Sequence, residues 1–220
     1  MNQGTPLILA SSSPRRRELL SLAEWPFEVR AADVDERVLP GESPQAYVAR
    51  VAADKARVVA EGLREGLVLA ADTIVVLDGE IIGKPHTPEK AREMLSALRG
   101  REHMVYTGLT MLNARTGEMQ DDLAASCVPM RNYSDEEMDA YIASGDPLDK
   151  AGAYGIQHKG FHAVEGMQEC FANVVGFPLC HLTRNLRKWG FTFEVELHSA
   201  CQAHLGYDCP IYEEVLEWKQ

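Results

Sequence analysis

The sequence lacks any long apolar run, and its acidic residues outnumber its basic ones. Among 220 residues there are 22 Lys and Arg against 33 Asp and Glu, giving a formal net charge of −11. Such a chain repels DNA and RNA backbones, which disfavours general nucleic-acid binding. The longest apolar stretch, Leu67–Leu77, has the length of a strand and is broken by Asp72 and Thr73, so no membrane span is predicted.

Two further absences narrow the class of protein. The N-terminus has no basic segment followed by a long apolar segment, so we expect no secretory signal and a cytoplasmic location. The P-loop pattern of Gly, four residues and Gly-Lys-Ser/Thr is missing, which excludes an ordinary P-loop NTPase. Cysteine occurs as an odd, scattered set that does not suggest a disulfide framework: Cys127, Cys170, Cys180, Cys201 and Cys209.

The composition is that of a globular protein, with 45% hydrophobic and 25% charged residues. Strand and helix patterns alternate and hairpins are mixed in, which predicts an α/β fold with a mixed twisted sheet flanked by helices. Strands are expected over residues 5–10, 27–30, 67–83 (a hairpin turning at Asp78-Gly79), 104–114 and 119–132. Helices are expected over residues 14–23, 43–63, 88–98, 134–144 and 178–189, and loop with short strand over residues 150–176.

Arginines occupy the first turn of the helix predicted from residue 14. A helix N-terminus already carries partial positive charge, so Arg15, Arg16 and Arg17 oppose it. An anion docked there would explain the arrangement, because free backbone N–H groups, serine hydroxyls and guanidinium groups would converge on phosphate. Helical spacing turns Arg15 and Arg16 towards the packed side and leaves Arg17 more exposed. The alternative is a solvated basic turn.

Asp72 lies inside a run that is apolar on both faces, as expected of a central strand. A buried carboxylate is costly unless it is paired, hydrogen-bonded or bound to a metal. Asp72 is therefore a candidate site residue. The alternative is an aspartate that caps a neighbouring loop.

Lysines add to this set of charges. Lys55 lies on an apolar helical stripe, so it either extends to the edge of that stripe or reaches a buried anion. Lys84 precedes Pro85, which holds it extended; alone, Lys84 is equally typical of a surface turn. Basic residues gathered around one carboxylate indicate phosphate chemistry with a divalent cation. The stripe comprises Val48, Val51, Lys55, Val58 and Val59.

Several collinear segments resemble the Maf family. Residues 9–16 (Leu-Ala-Ser-Ser-Ser-Pro-Arg-Arg) are similar to its N-terminal signature. Further similar segments follow in the family's order at residues 34–36, 55–56, 71–75, 83–85, 149–157 and 173–178. Each segment is weak alone, but seven in order are specific, and together they extend over about residues 6–189.

The resemblance implies hydrolysis of a nucleoside triphosphate to the monophosphate and diphosphate, by metal-dependent attack of water at the α-phosphorus. Residues 149–157 resemble the dTTP/UTP branch. The resemblance also implies Mg²⁺ or Mn²⁺, a homodimer, and a two-lobed fold with a central cleft like that of inosine-triphosphate pyrophosphatases. We expect a nucleotide as the partner, with no nucleic acid and no membrane. The expected organisation is a Maf-like domain over residues 1–190 and an appended tail over residues 191–220.

The roles implied for individual residues are as follows. Asp72 would accept the proton of the attacking water, and Glu36 and Asp72 would hold the metal. Phosphates would be bound by Ser11, Arg15, Arg16, Lys55 and Lys84. The base would be selected by Arg15, Thr73 and Gln157, whose amide matches the alternating donor and acceptor edge of uracil or thymine. The chain departs from the family pattern at His158, where Gly is usual, and at Phe177, where Leu is usual.

Other functions stay open at this level. A non-catalytic nucleotide-binding regulator of cell division would need the same cleft, although it could have lost Asp72 or Glu36. A nucleic-acid-binding protein using Arg15–Arg17 is opposed by the net charge. The tail has two interpretations. It is either a small helix and loop held in place by packing of its apolar residues, or a metal site formed by His198, Cys201, His204 and Cys209. The spacing of these four residues differs from that of familiar zinc sites.

Overall fold

A computed structural model describes residues 4–217, which form six strands and eight α-helices. The strands are β1 (Leu7–Leu9), β2 (Phe27–Val29), β3 (Leu67–Leu77), β4 (Glu80–Ile82), β5 (Glu102–Asn113) and β6 (Met119–Pro129). The helices are α1 (Pro14–Ser21), α2 (Pro44–Ala60), α3 (Pro88–Leu98), α4 (Asp135–Ala143), α5 (Phe171–Val175), α6 (Leu179–Lys188), α7 (Leu197–Leu205) and α8 (Tyr212–Glu217). Two 3₁₀ turns, Asp146–Asp149 and Ala151–Ala153, lie between α4 and α5.

The sheet is mixed, which confirms the predicted α/β fold. Its order is β2-β1-β3-β5-β6, and β4 pairs with the far end of β3. β1 runs parallel to both β2 and β3, whereas β3 pairs antiparallel with β4 and β5, and β5 pairs antiparallel with β6. The long hairpins therefore form one half of the sheet and the parallel strands form the other.

The edge of β3 that faces β1 and β4 is split. Residues 67–69 pair with β1 and residues 75–77 pair with β4. Between them, residues 70–74 pair only with β5 on the opposite edge, as far as the described strands go. The chain leaves β1 at this point, because Ala10 N donates to Leu69 O at 2.8 Å. A cleft opens at this gap, and Asp72 and Thr73 lie in it.

Helices cover both faces of the sheet. α1, α5, α6 and α7 pack on one face around a cluster that includes Leu9, Leu69 and Phe177. α2 packs on the other face, where Val48 and Val51 are fully buried. α3 and α4 pack at the hairpin end of the sheet in a separate cluster. The cluster that includes Phe177 and the cluster under α3 and α4 correspond to lobes on either side of the cleft.

Local signals confirm several predicted elements. Asp78 and Gly79 have φ of 54° and 86°, the left-handed pair that a two-residue hairpin turn requires. Ser43 caps α2 by accepting from Ala46 N, and Ser134 with Glu137 forms the predicted capping box of α4.

Two expectations were wrong in detail. Val58 is 43% exposed, because the stripe of α2 that faces the sheet is narrower than the spacing indicated and excludes that position. Residues 150–176 contribute one isolated bridge, Met130 with Val164, rather than a short strand, and residues 171–175 form α5. Within residues 4–217, no helix is both long enough and apolar enough to cross a membrane.

The tail packs on the main body. Leu197 is 2% exposed and shares one hydrophobic cluster with β1, β3 and α6, and Cys201 belongs to the same cluster. Trp25 contacts Phe191, with ring centroids 5.6 Å apart. The predicted boundary at residue 190 stays a prediction, and its outer limits, residues 1–3 and 218–220, lie outside the described residues.

Candidate active site

One cleft brings together all the residues predicted for the site. It has a volume of about 1030 Å³ and opens at the gap in the edge of β3. Six basic and four acidic side chains line it, in contrast to the net charge of −11 for the whole chain. The predicted residues on its wall are Ser11, Arg15, Arg16, Glu36, Lys55, Asp72, Thr73, Lys84 and Gln157.

Lys55 joins two carboxylates at the centre of the cleft. Its Nζ lies 2.8 Å from Asp72 Oδ1 and 2.7 Å from Glu36 Oε1. Asp72 and Lys55 are only 8% and 9% exposed, so each compensates a charge that would be costly to bury alone. Of the two interpretations of Lys55, the structure therefore supports the one in which its ammonium reaches a buried anion. Asp72 is buried in an ion pair and does not cap a loop.

Glu36 lies on the loop before α2 and is half-exposed. Partial burial acts to raise the pKa of Glu36, but the hydrogen bond and charge of Lys55, with Lys84 and Arg16, lower it overall. Tyr47 OH donates to the Glu36 backbone carbonyl at 2.8 Å. Burial, with the charges of Asp72 and Glu36, raises the pKa of Tyr47 to about 12, so Tyr47 remains a donor that fixes this loop. No pattern in the sequence predicted this role of Tyr47.

Arg16 crosses from α1 to the edge of β3. Its Nε donates to Gly176 O at 2.9 Å, and its two terminal nitrogens donate to Ser11 Oγ at 3.3 Å and Thr73 Oγ1 at 3.1 Å. Burial lowers the pKa of Arg16, against the opposing effect of Asp72. Gly176 has φ of +110°, and a Cβ there would lie 3.1 Å from Thr73 Oγ1, so this glycine leaves room for the contact.

The N-terminus of α1 has the character that the sequence predicted. No acidic residue lies in its first turn, and Ser13 makes no side-chain capping bond. Arg15 is half-buried and lines the cleft, whereas Arg17 is exposed. Within residues 4–217, neither Arg15 nor Lys84 has a hydrogen bond or ion pair to another side chain, so both remain available to an anion.

A chain of hydroxyl groups behind Thr73 was not predicted from the sequence. Thr107 Oγ1 donates to Asn173 O at 3.1 Å and lies 2.9 Å from Thr73 Oγ1. Since the Thr107 proton is used on Asn173, Thr73 must donate its own proton to Thr107. Asn173 is held in turn through its Nδ2, which donates to Val105 O and Ser126 Oγ. Asn173 stands in one of the family-like segments, which was the only sequence signal for it.

Polar side-chain contacts hold the segment of the cleft wall that carries Gln157. Lys150 Nζ donates to Asp146 Oδ1 at 3.0 Å and to Asp149 Oδ1 at 2.9 Å. Tyr141 OH donates to Asp146 Oδ2 at 2.8 Å and accepts from Gly155 N at 3.0 Å. These residues were not predicted individually, although Asp149 and Lys150 lie in a family-like segment. Gln157 itself is exposed on the cleft wall.

His158 and Phe177, the two departures from the family pattern, differ in position. Phe177 is fully buried in the core, away from the cleft wall. His158 lines the cleft, and its Nδ1 accepts from Gly160 N at 3.2 Å and Phe161 N at 2.9 Å. The neutral ring therefore carries its hydrogen on Nε2.

The donor set fits a divalent cation. Glu36 and Asp72 each place a carboxylate oxygen within 2.8 Å of the same Lys55 nitrogen, so both oxygens already converge on one positive charge. Mg²⁺ is commonly bound by one or two carboxylates together with water and substrate phosphate. Within the described chain, no three His, Cys, Asp or Glu side chains cluster as a metal site, so substrate and water would supply the other ligands.

The residues weighed for a metal site in the tail have other contacts. His204 Nε2 lies 3.0 Å from Glu18 Oε1 on α1. The His198 ring stacks on Tyr212 with centroids 4.8 Å apart. The interpretation of the tail as a packed helix and loop fits these contacts better, with the difference that it forms two helices, α7 and α8.

The chain has relatives among known proteins. Residues 6–189 match the family model of the Maf-like proteins. The dTTP/UTP pyrophosphatase of Moorella thermoacetica is 45% identical over 184 residues, which cover 84% of this chain and 95% of the relative. The dTTP/UTP pyrophosphatase of Anaeromyxobacter dehalogenans is 49% identical over 187 residues, which cover 84% and 94%. A partial likeness, with 16% identity and a TM-score of 0.42, links 58% of this chain to 73% of the Ham1 protein of Staphylococcus aureus. This chain belongs to the Maf-like protein family.

Proposed function

We propose that this protein hydrolyses dTTP and UTP to the nucleoside monophosphate and diphosphate. The observation that carries the proposal is the ion-paired triad of Asp72, Lys55 and Glu36, in which Asp72 and Lys55 are buried. It opens into a cleft where basic side chains outnumber acidic ones by six to four. The relatives from Moorella thermoacetica and Anaeromyxobacter dehalogenans, whose names state this activity, support the choice of reaction and substrate.

Asp72 is the proton acceptor in this proposal. Its Oδ1 is held by Lys55, and a carboxylate fixed in this way can take the proton of a water that attacks the α-phosphorus. Glu36 and Asp72 would hold Mg²⁺ or Mn²⁺, which would offset charge on the phosphate oxygens and make the attacking water more acidic. Arg15 and Lys84, which have no competing ion pair among residues 4–217, offset the charge of the leaving diphosphate.

Thr73 selects the base through its acceptor capacity. Its proton is committed to Thr107, so the hydroxyl offers the cleft only a lone pair. Uracil and thymine carry a hydrogen on N3, whereas cytosine has an acceptor there. This difference favours dTTP and UTP over CTP. The Gln157 amide and the Nε2 hydrogen of His158 supply donors for carbonyl oxygens of the base.

Several finer features belong to the same proposal. The Maf-like domain ends near residue 190, and the tail that follows is an addition to it. The active form is a homodimer in the cytoplasm, binding a nucleotide rather than nucleic acid or membrane. Sedimentation of the purified protein would measure the oligomeric state independently of turnover.

The test is a panel of nucleotides incubated with Mg²⁺, Mn²⁺ or EDTA. We expect monophosphate and diphosphate from dTTP and UTP, little product from CTP, dATP, GTP or 7-methyl-GTP, and no turnover in EDTA. Products of diphosphate and orthophosphate would overturn the reaction. Monophosphate from another base would keep the reaction and overturn the substrate assignment. Tight nucleotide binding without turnover under any metal would favour the regulator.

A matched pair of lysine variants tests the phosphate contacts. Lys84→Met should raise KM for dTTP by about 10-fold or more, because a charged contact is lost. Lys90→Met, at an exposed position of α3 outside the cleft, removes a lysine of equal charge that pairs with Glu93 and should leave KM unchanged. Equal effects of the two variants would mean that Lys84 acts only through the overall charge.

A further inference from the structure

Four cysteines that are scattered in the sequence meet in one place. Cys170, Cys180, Cys201 and Cys209 line a cavity of about 10 Å³ between α5, α6 and the tail. A space of that size holds about one water molecule and no organic ligand. No three His, Cys, Asp or Glu side chains of residues 4–217 are arranged to hold a metal. The reactive groups of this cluster are therefore its own thiols.

Two of these thiols are neighbours across this small cavity. Cys170 precedes α5, Cys209 lies in the loop before α8, and the Cys170 thiol donates a hydrogen bond to the Cys209 sulfur. The backbone N–H groups of Ile211 and Tyr212 also donate to Cys209. The Cys170 hydrogen bond, against the opposing effect of burial, lowers the pKa of Cys209 to about 7. Cys209 is half-buried, so a small oxidant reaches it more readily than buried Cys170.

The remaining pair in the cluster is unreactive. Burial raises the pKa of both Cys180 and Cys201 to about 12, which keeps them as thiols near neutral pH. A thiolate, rather than a thiol, is the nucleophile in cysteine oxidation. Cys209 is therefore the attacking sulfur. The Cys209 hydrogen bond and burial hold the pKa of Cys170 well above its usual range, so Cys170 is the second sulfur because of its position next to Cys209 and not because of its acidity.

We propose that Cys170 and Cys209 form an oxidisable pair that closes to a disulfide on exposure to a hydroperoxide, joining the tail covalently to the start of α5. The Cys209 thiolate attacks one peroxide oxygen, the O–O bond breaks, and hydroxide leaves, giving a sulfenic acid. The Cys170 sulfur then attacks the sulfenic sulfur, the S–O bond breaks, and the thiol proton leaves with the oxygen as water. With hydrogen peroxide the total is two thiols and one peroxide to one disulfide and two waters.

The position of Cys170 connects this pair to the cleft. The helix that it precedes, α5, contains Asn173, whose carbonyl accepts from Thr107, and is followed by Gly176, whose carbonyl holds Arg16. Disulfide formation would limit local opening of α5 by anchoring it to the tail. A loop closed between residues 170 and 209 also restricts the unfolded chain, so the oxidised protein should melt about 5–15 °C higher.

The experiment treats the full-length protein with one to a few equivalents of hydrogen peroxide. Intact mass spectrometry should find the loss of two hydrogen atoms, and non-reducing peptide mapping should find Cys170 linked to Cys209. Dithiothreitol should reverse both the mass change and the rise in Tm. The readout needs no turnover, so failure of the proposed activity would not affect it.

Matched variants isolate the pair. Cys209→Ser should abolish the mass loss and the rise in Tm, whereas Cys201→Ser and Cys127→Ser should keep both. If Cys209→Ser fails to fold, mapping of the unmodified protein and of Cys201→Ser still decides the matter. A linkage to Cys180 or Cys201, or stepwise gain of oxygen on Cys209 without a cross-link, would overturn the proposal.

Discussion

Two adjacent residues of β3 serve opposite faces of the sheet. Strand geometry turns successive side chains to opposite sides, so Asp72 meets Lys55 from α2 while Thr73 meets Arg16 from α1. Both reach the same cleft because the edge of β3 is open between β1 and β4. These two adjacent residues thus provide the proposed proton acceptor and the hydroxyl that is proposed to select the nucleobase.

Replacing the Asp72 carboxylate tests its assigned role. Asp72→Asn should lower kcat for dTTP by at least about 100-fold, because a proton acceptor is lost while shape is retained. Circular dichroism and a cooperative melt should confirm that the fold is kept. Asp54→Asn is the matched control, since Asp54 precedes Lys55 on α2 but pairs with Arg57 at the surface. Normal activity in Asp72→Asn would mean that Asp72 is not the proton acceptor.

His103 predicts a pH dependence of stability. Burial lowers the pKa of His103 to about 4 from its ordinary 6.5, so the unfolded chain binds a proton that the folded chain does not. Stability is therefore complete above about pH 6.5 and is lost as the pH falls towards 4, by up to about 3 kcal/mol from this residue. Urea titrations between pH 7 and pH 4 should find a shallower slope for His103→Gln. Identical slopes would exclude His103 as the cause.

At the scale of elements, α2 lies unusually close to β5. Gly108 pairs with Asp72 across the sheet, and a Cβ at Gly108 would lie 2.5 Å from Val48 O on α2. The absence of a side chain lets the helix backbone approach the strand. This approach sets the height of Lys55 above β3, and so its reach to Asp72 and Glu36.

Adding one methyl group at this contact should disturb the site. Gly108→Ala should lower the free energy of unfolding by about 1–3 kcal/mol, because backbone atoms must move apart. It should also lower kcat by about 10-fold or more, since Lys55 moves with α2. Gly62→Ala is the control, because nothing lies within 4 Å of a Cβ at Gly62. Wild-type stability and kcat in Gly108→Ala would show that the helix does not depend on this contact.

For the whole molecule, the tail contributes to the main core although it lies beyond the family match at residue 189. Leu197 is packed with strands and helices of the body, and His204 pairs with Glu18 of α1. The tail is thus an addition in sequence but continuous with the body in packing.

Truncating one tail side chain measures this contribution. Leu197→Ala should lower the free energy of unfolding by about 2–4 kcal/mol in urea, because a buried cavity is left. Val38→Ala should change it by less than about 0.5 kcal/mol, since Val38 is 50% exposed. A Leu197→Ala value as small as the control, or a separate unfolding transition, would mean that the tail folds apart from the body.

The sequence by itself determined the local elements and most of the candidate site residues. Apolar runs, caps and the Asp78-Gly79 turn are local signals, so α3 and the long hairpins appeared where predicted. Asp72 and Lys55 stood out because a charge among apolar neighbours needs a partner. Collinear motifs identified the family, and every predicted site residue lies on one cleft.

Only the tertiary structure decided which groups meet. Arg16 bonds the distant Gly176, and Thr73 bonds the distant Thr107, which in turn donates to Asn173. No local pattern in the sequence predicts these hydrogen bonds. The contact of Cys170 with Cys209 likewise depends on how the tail packs. Local sequence signals act over a few residues, whereas these contacts arise from the packing of elements far apart in the chain, and so only the fold specifies them.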